Sequence, residues 1–389
     1  MAKNSSIFFA NSLGRLRVSK ALLGCALLLS ATGCSRFHRH STDTVYVSAR
    51  QTYLHDRVAA VSNRVAGVTN GQVLEVLDRN RRFLKVKTDK NQIGWIEERA
   101  VIDTKTYAAF QQLSDQHKND VVTAQASLRD DLYMHLTPGR TAEHFYLIPG
   151  NTKVQLLMRA SVQRTNSNAT APAPKPAAPV TPPNGAKPAT EAPAPVAAAP
   201  PPMEDWWLVR DGQGRTGWLL SSRLDVDVPD AIGLYAEGQH IVGAWPLAQV
   251  TDVDDNGASH TEIEYLMALS APKAGLPYDF DQLRVFTWNL KRHRYETAFR
   301  MRNIRGYLPL HVTQATGNGP ASFQFLIANN DKAMADPATG AARPVVPRML
   351  SYQLIQTRVM RTGPDMGPLP NFGGGDDDKN KKDAKKKHK

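Results

Sequence analysis

Cysteine is nearly absent from this 389-residue chain: its two copies, Cys25 and Cys34, both lie in the first 34 residues. That excludes a disulfide framework across the remaining sequence. Catalytic signatures are missing as well. The chain has no His-Glu-x-x-His, no Gly-x-Ser-x-Gly and no Gly-rich phosphate loop, and its eleven histidines show no metal-ligand spacing. His38 and His40 fall early, His388 lies near the end, and His293 sits in Lys291-Arg-His-Arg294, a hairpin-tip pattern. Acid is in deficit, with 36 Asp and Glu against 48 Lys and Arg, a net charge of +12. Long apolar runs are lacking, since residues 21–29 form a stretch too short to span a bilayer.

What is present begins with that short run. Lys3, Arg15, Arg17 and Lys20 lead into it, and Ala31-Thr32-Gly33-Cys34 follows it. Basic lead, apolar core and small residues make a secretory signal. The cysteine after Thr-Gly makes it resemble a bacterial lipoprotein signal, although Ala31 stands where Leu is commonest. The resemblance implies that Cys34 becomes the first mature residue, carrying diacylglycerol on its thiol and palmitate on its amine. Several acyl chains exceed the two-signal requirement for stable anchoring. No thiol is then left for L,D-transpeptidase-type chemistry. Ordinary secretion with Cys34 free is the alternative. Ser35 rather than Asp after the cysteine favours, by the same analogy, the outer membrane facing the periplasm. Without the leader's four positive charges the mature chain carries about +8, which suits anionic surfaces. Nucleic acid is not an expected partner of an exported lipoprotein.

Residues 34–43 read as a polar tether. Two stretches then resemble each other. Val73-Leu-Glu-Val76, Phe83-Leu-Lys-Val86 and Gly94-Trp95 recur as Val154-Gln-Leu-Leu157, Trp206-Trp-Leu-Val209 and Gly217-Trp218, each set after a Gly turn at Gly71 or Gly150. On these residues the chain resembles the bacterial SH3-like family, twice, over residues 44–103 and 125–228. That implies two small barrels, with residues 45–49 and 132–136 as the poorly kept opening strands. Gly94 and Gly217 would serve a tight turn, and Trp95 and Trp218 would fill the barrel end.

Residues 104–124 form a connector, helical over 104–119, with Tyr107, Phe110 and Leu113 as one apolar stripe. Residues 163–204 form an insert in the second copy, and its 169–202 stretch holds twelve of the 26 prolines; it predicts disorder with polyproline II character. Residues 231–361 predict an antiparallel β-sandwich or barrel, with strands near 241–250, 261–269, 283–290, 295–301, 306–312, 323–328 and 350–360. Residues 362–389 read as a disordered basic tail. The fold class expected is mainly β.

Among candidate sites, Asp252-Val-Asp254-Asp-Asn256-Gly257 fits half of a calcium loop but has Ile263 at the twelfth position, and a hairpin turn explains it equally. Ser270-Ala-Pro-Lys273 is a Ser-x-x-Lys string with Pro272 against a helix, and Arg361-Thr-Gly363 is a faint partner to it. No metal or cofactor is expected. Residues 282–305 hold Arg284, Arg292, Arg294, Arg302 and Arg305 among seven bases and one acid, Glu296, interleaved with aromatics. Alternation puts the aromatics inward and the bases outward, as a solvated face or a polyanion-binding one. Trp206 and Trp207 point to opposite strand faces, one into the core and one toward a surface, as a stacking platform or a cover for a neighbour. The function expected is a non-enzymatic, lipid-anchored binding module or scaffold contacting peptidoglycan or an envelope protein. The alternatives are a purely protein–protein assembly role and an enzyme within residues 231–361.

Overall fold

The computed structural model describes residues 43–59, 62–165, 201–254, 256–317, 319–337 and 339–373. The leader with Cys34, the tether with His38 and His40, insert residues 166–200 and the tail from 374, including His388, lie outside the described residues. The described chain is mainly β, in several antiparallel sheets. No described helix is long and apolar enough to cross a membrane.

The first sheet comprises β1 (Asp43–Val47), β2 (Gln51–His55), β3 (Arg64–Thr69), β4 (Val73–Asn80), β5 (Phe83–Lys87), β6 (Ile93–Glu97) and β7 (Val101–Asp103). Helix α1 (Thr104–His117) follows. The second sheet comprises β8 (Ala124–Leu128), β9 (Leu132–His135), β10 (His144–Ile148), β11 (Lys153–Gln163), β12 (Met203–Arg210), β13 (Thr216–Leu220) and β14 (Leu224–Val226). Their strand orders are β3-β2-β6-β5-β4-β1-β7 and β10-β9-β13-β12-β11-β8-β14. Shifted by seven strands, these orders are identical. A short 3-10 turn, Glu98–Ala100 or Ser221–Arg223, precedes the last strand in each. The repeat is therefore topological as well as sequential.

Three details depart from the sequence reading. The counterpart of β1 is β8, and residues 132–136 match β2, so residues 45–49 and 132–136 are not equivalent strands but differ by one position in the repeat. Neither ladder closes into a barrel, because among the described residues no pairing joins the two edge strands, β3 to β7 or β10 to β14. In the first sheet β7 ends at its third residue, Asp103, which caps α1 by accepting from Thr106 N at 2.7 Å. Too little backbone remains there to pair with β3. The insert is also shorter than expected, since the β11–β12 ladder continues to Gln163 opposite Met203.

The Gly-Trp pairs do different work from that expected. Gly94 faces inward, where an added Cβ would lie 2.8 Å from Cβ of Leu54; at Gly217 it would lie 2.5 Å from Cβ of Met134. Glycine is required by a neighbouring strand's close approach rather than by a turn. Trp95 and Trp218 point the other way. Trp95 is half-buried opposite Lys85, while Trp218 packs outside the sheet with Trp206 and Leu157. Period-two alternation forces this, because the inward place is already taken by glycine.

Helix α1 ties the repeats together. Phe110 is fully buried, and Tyr107 stacks on Tyr46 of β1 at 3.8 Å while meeting Phe145 of β10 edge-on. Ser114 Oγ accepts from Thr216 N at 2.9 Å. Asn70, in the turn before β4, donates to Phe145 O at 2.8 Å and accepts from Leu147 N at 3.1 Å.

After α2 (Asp230–Gly233) come two four-stranded sheets. One is β15 (His240–Val253), β16 (Ser259–Ser270), β17 (Gln282–Asn289) and β18 (Arg294–Met301). The other orders β19 (Gly306–Thr313), β20 (Ala321–Ala328), β23 (Pro347–Ile355) and β24 (Arg358–Thr362), with a small hairpin of β21 (Ala333–Ala335) and β22 (Ala342–Pro344) between β20 and β23. Leu266, Val285, Phe323, Phe325, Leu350 and Tyr352 share one core between the sheets, so this is a sandwich. The expected strand at 350–360 is two strands, broken by a turn with Gln356 at φ 57°. Residues 362–373 are not free tail: Asp365 binds Arg348 and Arg361, and Phe372 N donates to Asn303 O at 2.9 Å.

The sandwich core is continuous with that of the second repeat through Leu156, Trp207 and Leu247, whereas the first repeat keeps a separate core around Leu54, Leu74, Val86 and Ile96.

Candidate ligand groove

A groove of about 700 Å³ lies between the second repeat and the sandwich. One wall comes from β12, the end of β13 and β14, with Met203, Trp207, Leu220, Leu224 and Val226. The other comes from the start of β15 and the end of β16, with Ile241, Val242 and Ser270, followed by Lys273 and Ala274.

Its polar floor is a buried network. Arg159 of β11 is 8% exposed and donates to Asp205 at 2.9 Å, to Asp279 at 3.2 Å and to the carbonyls of Leu276 and Tyr278. Asp279 also accepts from Leu308 N at 2.9 Å, and Asp205 from Ser161 Oγ at 2.6 Å and Gly275 N at 3.0 Å. The nearby carboxylates hold the Arg159 guanidinium firmly charged despite its burial. Charges buried this way persist only when paired on all sides.

At the rims, Glu204 holds Arg140 at 2.7 Å and Arg164 at 3.4 Å, and Asp225 holds Arg129 at 3.0 Å. Five cations thus face four carboxylates in the lining. Lys273 is the cation left over, with no carboxylate partner among the described residues. Ser270 ends β16 and Lys273 lies in the loop beyond it, so the Ser-x-x-Lys string lies on a strand end and not at a helix start.

Trp206 and Trp207 do point to opposite faces, yet both are buried, at 2% and 4% exposure. Neither is an exposed platform. The outer face carrying Trp206 is covered by Leu113 of α1, Val122 and Trp218, and His135 meets its ring at 5.0 Å. Trp207 is the structural counterpart of Leu84, inside the sheet, and also lines the groove. No period in the sequence announces that both faces of a strand will be covered.

The basic stretch is largely neutralised. Arg284, expected to point outward, is 2% exposed and is bound by Glu237 at 2.8 Å, which also binds Arg300 at 3.0 Å. Glu237 comes from the turn after α2, far in sequence from residues 282–305. Arg292 and Arg294 share Glu296 at 3.0 and 3.4 Å. Arg305 stacks over Phe372 at 4.6 Å, and Arg302 lies exposed beside Glu237. These residues do not meet the groove.

The Asp252 segment forms the hairpin turn. Gly257 N donates to Asp254 O at 2.9 Å, and Asp254 Oδ1 accepts from Asn256 N and Ala258 N at 2.9 and 2.8 Å. Asp252 turns instead to Trp288 Nε1 and His293 Nδ1, both at 2.7 Å.

No family model and no curated protein matches this chain. Among solved structures it is similar to an NlpC/P60 family protein from Bacillus cereus, at 10% identity and a TM-score of 0.21, over 68% of this chain and all of that one. NlpC2 from Trichomonas vaginalis aligns at 9% identity and a TM-score of 0.15, over 67% of this chain and 97% of that one. NlpC1 from the same organism gives 9% and 0.15. Overlays this loose carry no inference about function.

Proposed function

We propose that this protein is a lipid-anchored envelope component, held through Cys34, whose SH3-like repeats and sandwich bind a peptide-containing ligand without chemical turnover. The observation that carries the reading is Lys273. It is an uncommitted ammonium on the rim of a groove whose walls are apolar and whose other charges are spent on each other. Such a site suits a ligand with an apolar body and a carboxylate, as a peptidoglycan stem peptide or the end of an envelope protein offers. Ligand pockets commonly form at domain interfaces of this kind.

The test is cosedimentation of full-length protein in detergent with purified sacculi. Lys273→Glu is expected to cut the bound fraction sharply at low salt, with the circular dichroism spectrum unchanged. Failure of the wild-type protein to cosediment even at low salt overturns the cell-wall reading. The protein-only scaffold would then be favoured, and it has its own support: Met334, Val345, Val346 and Met349 stand exposed along β21 to β23.

A further inference from the structure

A second cavity, of about 510 Å³, opens at one end of the sandwich. Val250, Trp288, Leu290, Leu354 and Ile355 give it an apolar wall. One ionisable side chain interrupts that wall. Glu264 of β16 is 4% exposed and sits on the strand face that carries Leu266 and Ala268 into the core. Alternation calls for hydrocarbon at this place, and hydrocarbon would pack there without any desolvation cost.

The carboxyl has one polar partner, the backbone N–H of Trp288. No lysine, arginine or histidine among the described residues pairs with it. Burial pushes its pKa up from 4.5 to about 7. Other ionisable groups on the surrounding elements include Asp252, His260, Glu262 and Arg358, with Lys291 and His293 in the β17–β18 turn; His240 lines the Lys273 groove, Arg284 is held by Glu237 and Arg348 by Asp365. None lines the cavity; Asp252 is held by Trp288 and His293, and Glu262 accepts from Tyr295.

We infer that this cavity binds an aliphatic primary amine, its ammonium set against Glu264 and its methylene stem against Trp288 and Ile355. An ion pair strengthens as the local dielectric falls, and an indole face adds attraction for a cation. The site is separate from the Lys273 groove and stands without it.

The probe is N-acetyl-lysine methylamide, titrated calorimetrically into the full-length protein against the corresponding norleucine derivative, which has the same four side-chain carbons and no ammonium. At about pH 8.5, with Glu264 ionised, the lysine derivative is expected to bind about tenfold tighter than norleucine, a preference that fades at about pH 5.5. Glu264→Gln should erase the preference at the higher pH. Ile355→Trp, at an exposed wall position, should weaken binding of the lysine derivative about tenfold without touching the charge. Equal binding of the two probes by wild type overturns the assignment. So does the absence of saturable binding at the higher pH, or a preference that survives in Glu264→Gln. Cosedimentation with sacculi should be unchanged in Glu264→Gln, which separates this site from the groove.

Discussion

Arg159 on β11 donates to Asp279 at 3.2 Å, joining the second repeat to the sandwich across 120 residues of sequence. Both groups are buried, so removing one strands the other. Arg159→Ala is expected to destabilise the protein by about 3–5 kcal/mol in urea denaturation. A loss under about 1 kcal/mol would mean the network is solvated, as surface pairs are.

Gly94→Ala and Gly217→Ala should each cost about 1–3 kcal/mol, because the new methyl meets a neighbouring strand's Cβ with no room to yield. Gly212→Ala, which meets nothing within 4 Å, is the control and should be nearly neutral. Equal chemical-denaturation midpoints for all three would refute the close-approach explanation.

Replacing residues 166–200 with a short Gly-Ser turn should change stability by no more than about 1 kcal/mol, since closure entropy grows only logarithmically with loop length. The ladder flanking the junction is intact, with Arg164 N donating to Pro202 O at 2.8 Å. Loss of the second repeat's thermal transition on deletion would show that the segment packs.

Glu264 and His135 give the stability profile opposite slopes. With Glu264 raised from 4.5 to about 7, the folded state holds the proton more tightly, so stability is complete below 4.5 and is lost as pH rises to about 7. Glu264→Gln should therefore stabilise by about 1–3 kcal/mol at about pH 8 and by little at about pH 4.5. Thermal melts at the two pH values decide it.

His135 is driven down from 6.5 to about 4, first by burial and then by His144. The neutral ring is favoured in the fold, so its contribution is present above 6.5 and is lost as pH falls toward 4. His135→Gln should flatten that acid limb, and an unchanged limb would assign acid unfolding to other groups.

Intact-mass analysis of membrane-extracted protein should show diacylglycerol and acyl mass on an N-terminus at Cys34. Cys34→Ala should leave the precursor uncut or release soluble protein. An unmodified N-terminus on wild-type protein would sink the anchor.

The sequence alone determined the mainly β class, the two repeats, the helix between them and the strands after residue 231. These rest on local periodicity and turn residues, which act over a few positions whatever surrounds them. The tertiary structure alone decided how the faces are used. Trp206 and Trp207 alternate as the strand requires, yet whether an indole meets water depends on α1 and the sandwich arriving from far along the chain. Arg284 looks solvated until Glu237 is folded back onto it. Gly94 reads as a turn residue until Leu54 is seen against it. The groove and the Glu264 cavity share this origin: each is lined by strands distant in sequence, and packing between such strands leaves no local pattern to read.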